Sequence, residues 1–278
     1  MRLEEIPIRD PFILPVELQK TYWLFGTTDA DPGVARPGRH GFDCYRSADL
    51  REWEGPFRAF EPAADFWGKY HFWAPEVHFI NGRYWMAASF KSDTACRGTQ
   101  LLTAAAPQGP YLPVGDGALT PRDWECLDGT LHIDGSGRPW MIFCHEWLQI
   151  GDGTICAMPL KDDFTAPAGE PVVLFHASEA PWTREIRPGC RVTDGPFLFT
   201  DGGGLAMLWS SFGNEGYAMG IARSEGGILG PWRQEQEPFF GRDGGHGMVF
   251  RTFDGQRRLT LHSPNRGPLE RAVFLPFA

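Results

Sequence analysis

The chain has 278 residues, of which 42% are apolar and 22% are charged, and its formal net charge is −9. This composition is typical of a folded globular protein and argues against a largely disordered chain. The acidic balance provides no basic surface for phosphates, and no run of about 18 apolar residues occurs. We therefore expect neither a nucleic-acid partner nor a membrane partner.

The beginning of the chain lacks the signature of an export signal. Residues 1–5 (MRLEE) contain no apolar stretch and no cleavage site, and the six cysteines form no C-x-x-C pair or zinc-type spacing. Secretory leaders require an apolar region, and disulfides are rare in the cytosol. The sequence therefore predicts a cytoplasmic protein with reduced thiols.

Five hairpins are predicted one after another along the chain. Their second strands are aromatic or aliphatic and lie at residues 22–26, 84–88, 139–143, 205–209 and 258–262. A glycine-containing turn precedes four of these strands, which is a strong hairpin signal. No helical periodicity is sustained over a long window, so we expect few or no helices.

The first strand of each hairpin opens with a polar residue. These residues are Asp10, Glu76, Asp128, Asp194 and His246, and their successive separations are 66, 52, 66 and 52 residues. A unit of this length holds four strands and their turns, which is one propeller blade. The repeat predicts an all-β, five-bladed β-propeller that forms a single domain over residues 1–278. A β-sandwich is the alternative, and the regular spacing disfavours it.

These polar residues are expected to meet, because the first strand of each blade lines the central channel. Carboxylates that face one cavity repel and desolvate one another, so such a ring indicates a functional site. Glycoside hydrolysis needs one carboxylate to activate water and one carboxylic acid to protonate the leaving oxygen. A third carboxylate raises the pKa of that acid. A turn or strand cap is the alternative role for any single aspartate.

At these residues the sequence resembles glycoside hydrolase family 43. The segments that carry the resemblance are residues 9–11 (RDP), 72–77 (FWAPEV) and 244–248 (GGHGM). The family consists of five-bladed propeller enzymes that cleave arabinosides, xylosides and galactosides. The resemblance implies an inverting reaction with Asp10 as catalytic base, Asp128 as the residue that modulates the acid's pKa, and Asp194 as general acid.

The acid position departs from the family pattern, which usually has glutamate there. Aspartate withdraws the carboxyl group by one methylene, about 1.5 Å. Glu125 and Glu146 are the alternative carboxylates that could serve as the acid.

Other residues are expected to complete the site. The resemblance places His246 where the family often holds an axial metal ion through water. Ca²⁺ there would offset the aspartates, and a hydrogen bond to an axial water is the alternative. Trp73 is expected to stack on a sugar ring, and Arg9 to bond a sugar hydroxyl or a carboxylate. Glu76 and His145 are expected to contact substrate as well.

We therefore expect a glycosidase that removes terminal arabinofuranosyl, xylosyl or galactosyl residues from small oligosaccharides. The preference for terminal residues follows only from the expected intracellular location. The alternative is a carbohydrate-binding propeller that has lost efficient acid catalysis, which the aspartate at position 194 would explain.

Overall fold

Five antiparallel sheets follow one another along the chain in the computed structural model, which describes residues 1–28 and 40–277. The first sheet contains β1 (Arg9–Val16), β2 (Thr21–Thr27), β3 (Phe42–Ser47) and β4 (Glu54–Phe60). The second contains β5 (Tyr70–Ile80), β6 (Arg83–Ser92), β7 (Ala95–Ala104) and β8 (Leu112–Pro113).

The remaining three sheets repeat this order, with the last one shorter by a strand. The third contains β9 (Cys126–Ile133), β10 (Pro139–His145), β11 (Thr154–Pro159) and β12 (Val172–His176). The fourth contains β13 (Asp194–Asp201), β14 (Gly204–Gly213), β15 (Gly216–Ser224) and β16 (Trp232–Gln234). The fifth contains β17 (Gly245–Arg251), β18 (Arg257–Ser263) and β19 (Arg271–Pro276).

The sheets are the blades of a propeller. The innermost strands β1, β5, β9, β13 and β17 each contact the next one, and β17 contacts β1, so the ring is closed. The five-bladed β-propeller predicted from the sequence is confirmed.

Helical structure is confined to short connections in the described part of the chain. One turn of α-helix, α1, spans Trp147–Ile150, and 3₁₀ turns span Leu3–Glu5, Glu17–Gln19 and Ala177–Glu179. No helix among residues 1–28 and 40–277 has the length and apolar character needed to cross a membrane.

Buried aromatic and aliphatic side chains pack between neighbouring blades. Seven of the eleven tryptophans are at most 8% exposed, namely Trp23, Trp53, Trp85, Trp140, Trp182, Trp209 and Trp232. The four half-buried tryptophans are Trp67, Trp73, Trp124 and Trp147. Most of the tryptophans therefore belong to the core, and only these four are partly exposed.

The segment before β1 closes the ring by pairing with the last blade. Pro7 forms an antiparallel bridge with Arg271, and the Ile8 N–H donates to the Glu270 carbonyl at 3.3 Å. The chain thus enters β1 directly from the edge of the fifth blade. Arg9 and Asp10 immediately follow this junction, so the position of the predicted base depends on both ends of the ring.

Candidate active site

A β-bulge interrupts each innermost strand at the same level of the hub. The first bulged residue has a positive φ in every blade: Asp10 (51°), Ala74 (47°), Asp128 (55°), Gly195 (51°) and His246 (50°). Bulges re-aim side chains and are frequent beside active sites. Asp10, Asp128 and His246 therefore occupy equivalent positions and turn together toward the hub.

The other two predicted ring residues do not share this position, which corrects the expectation that all five are equivalent. Asp194 lies one residue before the bulged Gly195, and Glu76 lies two residues after Ala74. Gly195 is required where it stands, because a Cβ added there would lie 2.7 Å from the His246 ring. Asp194 therefore lies at the position just before the bulge of the fourth blade.

A small pocket of about 70 Å³ opens at this level of the hub. Its wall is formed by Arg9, Asp10, Thr27, Trp73, Leu127, Asp128, Tyr217 and His246. Two of the three predicted catalytic aspartates line it directly.

Asp10 is surrounded by hydrogen-bond donors and positive charge. His246 Nδ1 lies 3.2 Å from Asp10 Oδ1, and the Thr27 hydroxyl donates to Oδ2 at 2.7 Å. Burial raises the pKa of Asp10, but charge interactions with His246, Arg9 and His262 and the hydrogen bond from Thr27 outweigh burial and lower it to about 2. Asp10 is therefore a carboxylate throughout the neutral range.

His262 is a neutral imidazole that contacts the main chain of Asp10. The Asp10 N–H donates to His262 Nδ1 at 3.2 Å, and His262 Nε2 lies 3.1 Å from Asn265 Oδ1. Burial lowers the pKa of His262 to about 4. The nitrogen nearest Asp10 thus acts as an acceptor, and the other nitrogen carries the proton.

Asp128 lies between the other two aspartates. Its Oδ2 accepts the Gly195 N–H at 3.0 Å and lies 3.7 Å from His246 Nδ1. Burial, and then the negative charge of Asp10, raise the pKa of Asp128 well above its ordinary value.

Asp194 is partly exposed and accepts a hydrogen bond from the Tyr217 hydroxyl to Oδ2 at 3.0 Å. Burial, and then the charge of Asp128, raise the pKa of Asp194 to about 7, although His246 and the Tyr217 hydrogen bond act in the opposite direction. The site thus combines an ionised carboxylate with a carboxyl group that keeps a proton near neutrality. This is the pairing that general acid–base catalysis requires.

The comparison with known families agrees with this chemistry. The sequence model described as Glycosyl hydrolases family 43 matches residues 6–275. The chain belongs to glycosyl hydrolases family 43. The members of this family are described as glycosyl hydrolases, which cleave glycosidic bonds.

Several relatives are similar over different shares of the chain. The crystal structure of an endo-arabinase from Bacteroides thetaiotaomicron VPI-5482 is 40% identical, with a TM-score of 0.92, and the match covers 100% of this chain and 96% of that one. The extracellular endo-α-(1→5)-L-arabinanase 1 of Bacillus subtilis (strain 168) is 26% identical over 42% of this chain. The α-L-arabinofuranosidase 43 of Humicola insolens is 21% identical over 60% of it. The matched regions span only 40% and 36% of these two curated relatives.

The two alternative candidates for the general acid, Glu125 and Glu146, each form an ion pair with a basic side chain. Arg97 forms a buried ion pair with Glu146, and Lys91 forms a partly buried ion pair with Glu125. Burial raises the pKa of Glu146, whereas the hydrogen bonds from Lys91 and the Arg97 N–H outweigh burial and lower the pKa of Glu125. Asp194, which accepts a hydrogen bond from a neutral hydroxyl, remains the better candidate for the acid.

Trp73 is held in place at the pocket wall by two neighbours. The His71 ring stacks on it with centroids 4.0 Å apart and an interplanar angle of 18°, and the Arg97 guanidinium lies 4.5 Å from its ring centroid. A tryptophan fixed in this way can offer a flat face to a sugar ring.

Arg9 also lines the pocket and retains hydrogen-bonding capacity. Its Nε is buried without a hydrogen-bond partner among the described residues, and its Nη1 lies 4.0 Å from Glu270 Oε1. Buried donors rarely stay unpaired in native proteins. Arg9 lines the pocket, and its contact with a substrate oxygen stays a prediction.

Glu76 and His145 lie outside the described pocket wall, and the substrate contacts expected of them stay predictions. Glu76 lies deeper, 3.5 Å from His78 Nε2, and its charge contributes to raising the pKa of Asp128. His145 stacks on Trp124 with centroids 4.2 Å apart and hydrogen-bonds Gln149 at 2.8 Å. Glu76 is displaced by the bulge, and the Trp124 ring covers His145.

A calcium ion held directly by side chains does not fit the hub. Among the described residues no group of three or more His, Cys, Asp or Glu side chains is arranged to hold a metal. One nitrogen of His246, Nδ1, lies 3.2 Å from Asp10 Oδ1. A Ca²⁺ ion bound to His246 through water stays a prediction, and no catalytic step depends on it.

Sequence reasoning missed three residues that act on the aspartates. Thr27 lies on β2, Tyr217 on β15 and His262 on β18, so none of them is on an innermost strand. A repeat analysis of strand openings could not find them. Thr27 could have been found, because it pairs with Arg9 at the opening of β1 and so lies next to Asp10.

Proposed function

We propose that this chain hydrolyses α-1,5-linked L-arabinan by an inverting mechanism, and that it cuts within the polysaccharide. The observation that carries the proposal is the cluster at the hub, where an ionised Asp10 and a proton-holding Asp194 both interact with Asp128. The choice of sugar rests on the 40% identity with the Bacteroides endo-arabinase, which extends over the whole chain.

In the proposed reaction each aspartate has one role. Asp10 takes a proton from the attacking water, and Asp194 gives its proton to the leaving glycosidic oxygen. Asp128 keeps the pKa of Asp194 high enough for the proton to be retained until it is needed. Trp73 and Arg9 position the sugar between these groups, with no covalent intermediate.

Internal cleavage replaces the terminal cleavage expected from the sequence. That expectation depended on an intracellular substrate, and the cytoplasmic location itself stays a prediction. The relatives named endo-arabinase and endo-arabinanase favour internal cleavage of arabinan over release of xylose or galactose.

The test is a time course on linear, debranched arabinan, with xylan and galactan as controls. Internal cleavage gives a rapid fall in viscosity and a ladder of oligosaccharides, whereas terminal cleavage gives arabinose alone. Proton NMR of the first product should show the β-anomer at the new reducing end. Binding of arabinan without turnover would instead support the carbohydrate-binding alternative.

The pH profile provides a second check on the assigned roles. Asp10 has to be ionised and Asp194 protonated, so kcat/KM is expected to fall at low pH with an apparent pKa of about 2, to the extent that the fold survives there. It should also fall at high pH, with an apparent pKa of about 7.

A further inference from the structure

Tyr217 is the one contact recorded for the carboxyl group of Asp194 within the described residues, and its ring is closely fixed. It is 2% exposed and stacks on His262 with centroids 5.6 Å apart and an interplanar angle of 17°. On another side it adjoins Gly245, where an added Cβ would lie 2.7 Å from the Tyr217 ring. The phenol oxygen therefore has little freedom to leave Asp194.

The hydrogen bond between Tyr217 and Asp194 has a defined direction. Burial, and then the charge of Asp194, raise the pKa of Tyr217 well above its ordinary value, so the phenol keeps its proton. The hydroxyl donates to Asp194 Oδ2 at 3.0 Å. When Asp194 is protonated, its own proton consequently resides on Oδ1, the oxygen that Tyr217 leaves free.

We infer that Tyr217 is a positioning residue for the general acid. The inference rests on the proposed function of Asp194. Tyr217 fixes the rotation of the shortened carboxyl group and keeps its proton on Oδ1, the oxygen available to the glycosidic bond. Without such a contact, an aspartate in place of the usual glutamate would rotate freely, and small errors in position are costly in catalysis.

The same hydrogen bond also acts during the reaction. As the glycosidic C–O bond breaks, its electron pair goes to the leaving oxygen, which takes the proton from Asp194 Oδ1. Water forms the new bond to the sugar and loses its proton to Asp10. Asp194 thereby becomes a carboxylate, and a hydrogen bond from Tyr217 becomes stronger as this charge develops. Tyr217 therefore favours the transition state over the ground state.

The test compares Tyr217→Phe with the wild type on two substrates that differ in leaving group. On arabino-oligosaccharides, whose leaving group needs the acid, kcat/KM should fall about 10–100-fold, the effect of one hydrogen bond to a developing charge. On a nitrophenyl glycoside that the wild type accepts, the fall should be less than about threefold. The upper limb of the pH profile should also move to higher pH. The hydrogen bond from Tyr217 lowers the pKa of Asp194, so its removal raises that pKa.

Two controls separate positioning from general damage. Tyr111→Phe removes another buried hydroxyl, which donates to the Pro107 carbonyl at 2.8 Å outside the pocket, and it should leave both rates unchanged. In an Asp194→Asn background, Tyr217→Phe should cause little further loss, because it acts through Asp194. Melting temperatures establish that every variant is folded.

The inference is overturned if Tyr217→Phe lowers kcat/KM equally on both substrates and leaves the upper limb of the pH profile unmoved. It is overturned as well if the variant lowers kcat/KM on neither substrate. It is also overturned if the losses add fully in the double variant. A wild type that hydrolyses neither substrate would instead contradict the proposed function, so the two failures can be told apart.

Discussion

Asp10 and Asp194 have the same side chain and belong to the same hub, but their neighbours give them opposite acid strengths. Asp10 faces His246 and Arg9 and accepts a hydrogen bond from Thr27, so its pKa falls to about 2. Asp194 is affected by burial and by the charge of Asp128, which outweigh His246 and the hydrogen bond from Tyr217, so its pKa rises to about 7. The division into base and acid therefore comes from the surroundings, since the residue type is the same.

Asp10→Asn should produce the largest loss, because water activation is needed whatever the leaving group. We expect kcat/KM to fall about 10³–10⁴-fold on both arabinan and a nitrophenyl glycoside. Steady-state rates on the two substrates provide the measurement, with the exposed Asp254→Asn as the matched control. A loss confined to arabinan would mean that Asp10 is not the base.

Asp194→Asn should lower kcat/KM by different factors on the two substrates, whereas Asp10→Asn is expected to lower it on both. Arabinan needs a protonated leaving oxygen, so its kcat/KM should fall about 10²–10³-fold. A nitrophenolate leaves without that help, and we expect a loss below about tenfold. Equal losses on both substrates would contradict the assignment of Asp194 as the acid, and attention would then return to Glu146.

Asp194→Asn should also stabilise the fold, but only at higher pH. The folded pKa of Asp194 is about 7 and its ordinary value is 3.8, so the folded state holds the proton more tightly than the unfolded state does. The cost of ionising this partly buried group is absent below pH 3.8, grows between the two values and is complete above pH 7. Asparagine avoids that cost.

Thermal unfolding at pH 4 and at pH 8 measures this effect. Because one pKa unit corresponds to about 1.4 kcal/mol, we expect a gain of more than about 1 kcal/mol at pH 8, or roughly 2–4 °C in Tm, and almost none at pH 4. The same Tm difference at both pH values would show that the pKa of Asp194 is not raised in the fold.

The sequence was sufficient for the propeller and for the convergence of the aspartates. Recurring hairpins define the blades, and the strand that opens each blade has to face the axis. Asp10, Asp128 and His246 are equivalent in the structure for that reason.

The exact strand position of the remaining residues could not be predicted. The regular spacing of 66 and 52 residues includes connections of different lengths, so it does not establish structural equivalence. Glu76 and Asp194 are displaced from the equivalent position by two residues and one, because a bulge changes which residue faces the hub. Tyr217 comes from the third strand of its blade, where nothing in a single sequence distinguishes a catalytic contact from core packing.

The closure of the ring at Pro7 and Arg271 has a consequence for the order in which the enzyme becomes competent. Asp10 leaves the ribosome early, but the two imidazoles that contact it, His246 and His262, are synthesised near the end of the described chain. A nascent chain that lacks the fifth blade has the base without the groups that keep it ionised and oriented. Hydrolytic activity should therefore begin only when the fifth blade has folded. Chains that lack this blade are expected to be inactive.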